Sequence, residues 1–263
     1  MKIRQMKVAG GFYPSWENEC KSMLETFYNQ VETFYVDETI KAWVVPHAWW
    51  IYSWIVAMYT YKAIEQQADK LPSTILLCWP DHYIWMNKVL VGNYDFLETP
   101  FWQLQTDKEI INYLLNFSDY FTDAYLDYDQ EHSIEVQLPF IKFLFWDKFK
   151  VVPLIFWWVN IVDIAQILDT LKEKVLFLVS SDLSHYLSYD EAIKKDSITL
   201  DIFINKKLEK LHLADACWIY PWGMVSILAK KYNWEAKLLK YLNSWDTAWD
   251  KSAVVGYSSV IYY

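Results

Sequence analysis

"KVLFLVSSDLSH" (174–185) decides the fold class: an unbroken apolar, β-branched run stops at two serines and an aspartate, with a histidine just beyond. A strand apolar on both sides is buried on both faces, as in a parallel sheet covered by helices, and the polar residues then mark its carboxyl end. Similar runs recur at 42–46 (AWVVP), 74–79 (TILLCW), 150–156 (KVVPLIF), 237–243 and 253–263. Helical patterns occupy 53–67, 107–117, 132–145, 160–173, 190–209 and 221–232. Strands alternating with helices in this way predict an α/β fold with a mainly parallel central sheet and helices on both faces. Residues 89–107 read as a β excursion, and with no repeat or linker the chain is expected to form one domain over 1–263.

Composition narrows the function classes. A net charge of −9, with acidic and basic residues mixed along the chain, gives no electrostatic reason to bind nucleic acid or an anionic membrane. Residues 43–61 carry no charge over 19 positions, but Pro46 and His47 interrupt them, so a buried strand followed by a helix is expected rather than a membrane span. The N-terminus lacks the apolar segment of a secretory signal, and Cys20, Cys78 and Cys217 are an odd, scattered set, so a reducing, cytoplasmic setting is expected.

Ligands of open α/β sheets sit outside the carboxyl ends of the strands. His47, His82 and His185 each fall within about five residues of such an end. One histidine of this kind is ordinarily structural; three at equivalent ends point to one shared site. Cys217 precedes a predicted helix, whose dipole would favour the thiolate, and beside imidazoles it becomes a soft metal ligand. Asp182 either caps a helix or orients a ligand, and Ser180 and Ser181 are capping residues. In "DQEHSIEVQLPF" (129–140), Glu131 and Glu135 stand one turn apart with His132 between them; such glutamates are ordinarily a solvated first turn, and Glu131 and His132 otherwise support the site from behind. A Ser-His-Asp triad lacks its G-x-S-x-G turn.

Seven stretches in order, VAGGFYP (8–14), VPHAWWIYSW (45–54), WPDHY (79–83), EHSIEVQLPF (131–140), SSDLSHY (180–186), ACWIYP (216–221) and NSWDTAWDK (243–251), resemble the motifs of the Memo-like family, in bacteria the AmmeMemoRadiSam system protein B group. The resemblance implies a fold similar to class III extradiol dioxygenases. It also implies a metal pocket with His47, His82 and Cys217 as ligands, and His185 as a fourth ligand or an acid/base group. Iron or copper, ahead of zinc, suits an imidazole–thiolate set. Two classes of function follow: a metal-dependent redox enzyme, with an extradiol-type oxygenase as one form, or a non-catalytic metal-binding adaptor. In either case radical-SAM and AMMECR1-like proteins of the same system are the implied partners.

Tryptophan is in excess and glycine scarce, at 16 and 5 of 263 residues. Average usage would give about eighteen glycines in a chain this long. The family pattern has glycine where this chain has Trp49, Trp54, Trp79, Trp218, Trp245 and Trp249, with Trp85, Trp102 and Trp157 assigned to the same set and Trp50 to genuine tryptophan. UGA codons meant as glycine in a variant code explain that pattern. Literal indoles at 49, 54, 79 and 218 are expected to crowd the site.

Overall fold

The computed structural model describes residues 1–80, 87–124, 131–217, 219–248 and 251–263. Its centre is four parallel strands, β2 (Ala42–Val45), β9 (Val175–Ser180), β3 (Thr74–Pro80) and β8 (Lys150–Phe156), adjacent in that order. These are the apolar runs of the sequence, and all but Lys150 are buried. Antiparallel or short strands extend both sides. β4 (Val89–Val91) and β7 (Phe121–Asp123) follow β8, while β12 (Val254–Tyr262) lies against β2 and carries β10 (His185–Leu187) and β11 (Ala236–Asn243). The expected parallel character therefore holds at the core and gives way at the flanks. A separate three-stranded sheet joins β1 (Ile3–Arg4), β5 (Phe96–Thr99) and β6 (Trp102–Gln105), placing the predicted β excursion.

Alternation of side chains divides the core into two layers. Trp43, Val45, Ile75, Leu77, Leu176 and Leu178 face α1 (Glu17–Gln30), α2 (Trp50–Glu65) and α5 (Leu138–Phe145). Their neighbours Ala42, Val44, Leu76, Cys78, Phe177 and Val179 face α3 (Lys108–Phe117), α6 (Ile161–Asp169), α7 (Tyr189–Ile204) and α8 (Ile219–Tyr232). The helices thus cover both faces of the sheet.

Two departures from the sequence reading have local causes. α1 was not anticipated, because its apolar stripe of Cys20, Met23, Leu24 and Phe27 is narrow and surrounded by charge. The single helix expected over 132–145 is broken into α4 (His132–Glu135) and α5. Pro139 has no N–H to continue the ladder and disfavours helical backbone just before it, so the chain turns at Val136 and Gln137.

That turn carries a buried charge. Glu135 accepts hydrogen bonds from Arg4 Nη1 at 2.7 Å, from the Lys7 and Val8 N–H groups at 2.9 Å, and from the Tyr13 hydroxyl at 2.9 Å. It is fully buried, as is Glu131, so neither belongs to the solvated first turn that helix position suggested. The N-terminal segment is tied across α4 by this one carboxylate. Glu135→Ala removes the carboxylate that Arg4 Nη1, the Lys7 and Val8 N–H groups and the Tyr13 hydroxyl share, and we expect a loss of about 3–5 kcal/mol, read as a lowered urea midpoint with unchanged slope.

Candidate metal centre

Val45 and Ser180, the last residues of β2 and β9, are paired, so the chain leaves the sheet at two adjacent points. Asp182 then joins three segments. Its Oδ1 accepts the His47 backbone N–H at 2.8 Å, and its own carbonyl accepts the Cys217 N–H at 2.9 Å. The side chains converge as a result. His47, Asp182 and Cys217 each offer one donor atom, and these atoms lie within 4.8 Å of one another. His47 Nε2 stands 3.8 Å from Asp182 Oδ2, with both residues buried.

The hydrogen-bond network assigns the imidazole tautomer. Ser180 has one hydroxyl proton, and its 2.6 Å contact with the Ser133 carbonyl must use it, since a carbonyl only accepts. Toward His47 Nδ1, 3.3 Å away, Ser180 Oγ can therefore only accept. That contact is a hydrogen bond only with a proton on His47 Nδ1, and a neutral ring in this tautomer turns its Nε2 lone pair toward Asp182, the arrangement of a metal-binding histidine held from behind. Gln137 completes the support: its amide donates to Ser180 Oγ at 3.1 Å and to the Pro46 carbonyl at 2.8 Å, and accepts from Tyr61 at 2.9 Å.

His185 reaches the group from its other side, Nε2 lying 3.5 Å from Cys217 Sγ, but it is not among the three converging residues. It is anchored through its neighbours: the Leu183 N–H donates to the Gly256 carbonyl, and the Gly256 N–H to the Ser184 carbonyl, at 2.9 and 3.0 Å. Any side chain at 256 would run into the Asp196 carboxylate, which holds the Ser184 N–H at 2.9 Å. His132 stands edge-on to His47 with ring centroids 5.5 Å apart, and its Nδ1 is 3.5 Å from Glu131 Oε1. Glu131 also caps α4 through Ser133. His82 lies outside the described residues.

Burial raises the Asp182 carboxyl above the usual carboxylate range, and the nearby histidines only partly offset it. Burial also pushes the Cys217 thiol well up, helped by the charge of Asp182. The helix dipole expected to favour a thiolate before α8 is outweighed by desolvation. A desolvated carboxyl group and thiol sharing one small space suit a cation, which would favour the ionised form of each.

Beside the centre a cavity of ≈ 380 Å³ is lined by Ala48, Trp49, Tyr52, Tyr186, Val255 and Tyr257, among others. Of the four tryptophans expected to crowd the site, Trp49 lines this cavity. Trp54 turns into the core beneath α2, Trp79 is buried at the end of β3, and Trp218 lies outside the described residues. Sequence reading assigned no site role to Gln137, although it falls inside the quoted motif 131–140, and gave Ser180 only a capping role.

A family model described as "Memo-like protein" matches residues 4–261. A MEMO1 family protein of Ignicoccus hospitalis is 34% identical, over 99% of this chain and 98% of that one. Another, of Aquifex aeolicus, is 32% identical over the full length of both. Among solved structures, an uncharacterized Escherichia coli K12 protein (JW3007) matches 85% of this chain and 100% of its own with a TM-score of 0.49 and 9% identity.

The tautomer is directly measurable. Nitrogen-15 NMR of the metal-free protein at neutral pH is expected to show His47 protonated on Nδ1, and Ser180→Ala to populate the other tautomer. An Nε2-protonated His47 in the unaltered protein would contradict the network.

Proposed function

Because the chain belongs to the Memo-like family, and because His47, Asp182 and Cys217 converge within 4.8 Å, we propose that it is a metal-binding, redox-related protein built on a single domain over 1–263. The convergence of the three donors carries the reading. One buried imidazole, one carboxylate and one thiol form a mixed N/O/S set suited to iron or copper ahead of zinc. His82, two positions beyond the end of β3 in sequence, is a further ligand in this proposal. A bound ion of this kind supplies Lewis acidity and a redox couple.

The protein's own residues would then divide the work. Ser180 and Gln137 hold the His47 ring, Glu131 and His132 back it, and Asp182 ties its backbone to that of Cys217. His185, in contact with the sulfur but outside the converging set, fits a group that moves a proton better than a ligand. The cavity flanked by Ala48 and Tyr186, neighbours of His47 and His185, is of a size that admits a small molecule. That cavity favours the enzyme over the adaptor, and an extradiol-type oxygenase is one form of it. The other members of the AmmeMemoRadiSam system, radical-SAM and AMMECR1-like proteins, are the partners proposed. Free thiols at Cys20, Cys78 and Cys217 suit the cytoplasm, and no helix among the described residues is long and apolar enough to cross a membrane.

Elemental analysis after dialysis tests the centre. His47→Ala and Cys217→Ala are each expected to lose stoichiometric metal, and His185→Ala to keep it. Full retention by both of the first two variants would place the metal elsewhere.

The pH dependence has a fixed sign. The Asp182 carboxyl and the Cys217 thiol are both raised by burial, so in the metal-free fold each gives up its proton at a higher pH than in the unfolded chain, a stabilising contribution that fades as pH rises. Metal displaces those protons and the histidine proton, so affinity falls as pH falls, steeply below about pH 6. The rise in melting midpoint on adding metal should therefore grow between about pH 5 and pH 8. An increment that shrinks with rising pH would count against these ligands.

A further inference from the structure

The backbone itself separates some tryptophans from the rest. Among the described residues, five that are not glycine take positive φ, and two of them are Trp102 and Trp146. Trp146 ends α5 at φ 49°, ψ −120°, and the Lys148 N–H closes a turn onto the Phe145 carbonyl at 2.9 Å. This is the second residue of a type II′ turn, a mirror-image conformation whose steric demands are met by glycine. Tyr186, Lys206 and Asn233, at φ 53–57°, are single residues at the ordinary left-handed value, which L side chains visit at a modest penalty.

Trp102 has φ 90° and follows directly on Pro100 and Phe101, the two residues that join β5 to β6. A strand resuming after such a turn commonly does so through one glycine at positive φ. Both indoles project into solvent, Trp102 being 75% and Trp146 67% exposed, so packing does not compensate for the backbone.

A different observation singles out Trp54. It stands one turn along α2 from Trp50, and the two ring centroids are 2.8 Å apart at an interplanar angle of 51°. Packed aromatic rings keep their centroids about 4.5–7 Å apart, so this space holds one indole and not two. Both rings stack, Trp50 on Tyr13 at 5.0 Å and Trp54 on Phe140 at 4.2 Å, but among the described residues only Trp50 of the two also donates its Nε1–H, to the Val136 carbonyl at 3.2 Å. The surplus ring is Trp54.

We infer that the protein made in its source carries glycine at positions 54, 102 and 146, where UGA codons are read as glycine. Positions 54 and 102 belong to the set suspected from sequence; position 146 comes from the backbone. The inference does not depend on the metal centre, and either can fail without the other. A surface patch of functional tryptophans is the competing explanation for the two exposed rings.

Peptide mass spectrometry of the protein isolated from its source cells decides the residue: glycine masses in the peptides spanning 54, 102 and 146 are expected, and tryptophan in all three would overturn the inference. A recombinant series tests the backbone argument. In a background carrying Trp54→Gly, Trp102→Gly and Trp146→Gly, which relieves the overlap and so guards against failure to fold, Trp102→Ala or Trp146→Ala replaces the corresponding glycine. Alanine removes the indole as glycine does but resists positive φ. Each alanine variant is expected to melt a few degrees below the background. Equal midpoints at both positions would show that the backbone there does not call for glycine.

Discussion

The parallel pairing of β2 with β9 governs the site. Val45 opposite Ser180 fixes where the two strands end side by side, and the Ser181 N–H carries the ladder one step further onto the Val45 carbonyl at 2.8 Å. Beyond that point the backbone is still buried but the β2–β9 ladder has ended, and the polar groups of His47 and Cys217 must be satisfied by something else. Asp182 does this for both His47 and Cys217. Cooperation between a structural demand and a chemical one follows, because the carboxylate that completes the backbone is also a donor aimed at the shared space.

The second organising charge is Glu135, and it acts at a distance in sequence. Through Arg4, Lys7, Val8 and Tyr13 it draws the N-terminal segment over α4. Phe12 in that segment lies against His132, with ring centroids 4.6 Å apart, and His132 in turn stands edge-on to His47. The buried ion pair is thus coupled to the rear of the candidate centre. Buried ion pairs add little net stability over apolar packing, which fits a role for this one in fixing the position of the N-terminal segment.

Tryptophan enters the structure in two ways. Trp50 and Trp222 have stacking and hydrogen-bond partners, Trp222 lying 4.1 Å from Phe203 and donating to Tyr262 at 2.7 Å. Trp79, in contrast, buries an indole N–H with no hydrogen-bond partner among the described residues, an arrangement that costs about 1–3 kcal/mol. At Trp49 the consequence is one of shape: its ring forms a wall of the cavity that Ala48 also lines, and a glycine there would leave the cavity wider and less aromatic.

Periodicity determined a good deal without any coordinates. Continuous apolar runs announced strands buried on both faces, and polar residues at their ends marked His47, His82 and His185 for one shared site, because parallel strands bring their carboxyl ends to one edge; His82 lies outside the described residues, and the structure adds Asp182 beside His47. Cys217 was legible from its place before a predicted helix, and the family motifs agreed with that choice. What sequence could not decide was whatever depends on contacts between distant segments. The burial of Glu135 requires Arg4, 131 residues away. The tautomer of His47 depends on which acceptor takes the single proton of Ser180. The thiol of Cys217 is set by desolvation, a property of everything packed around it, rather than by the helix start visible in its own segment. Local residue patterns encode which faces are dry and where strands stop; charge, proton position and side-chain convergence are properties of the assembled interior.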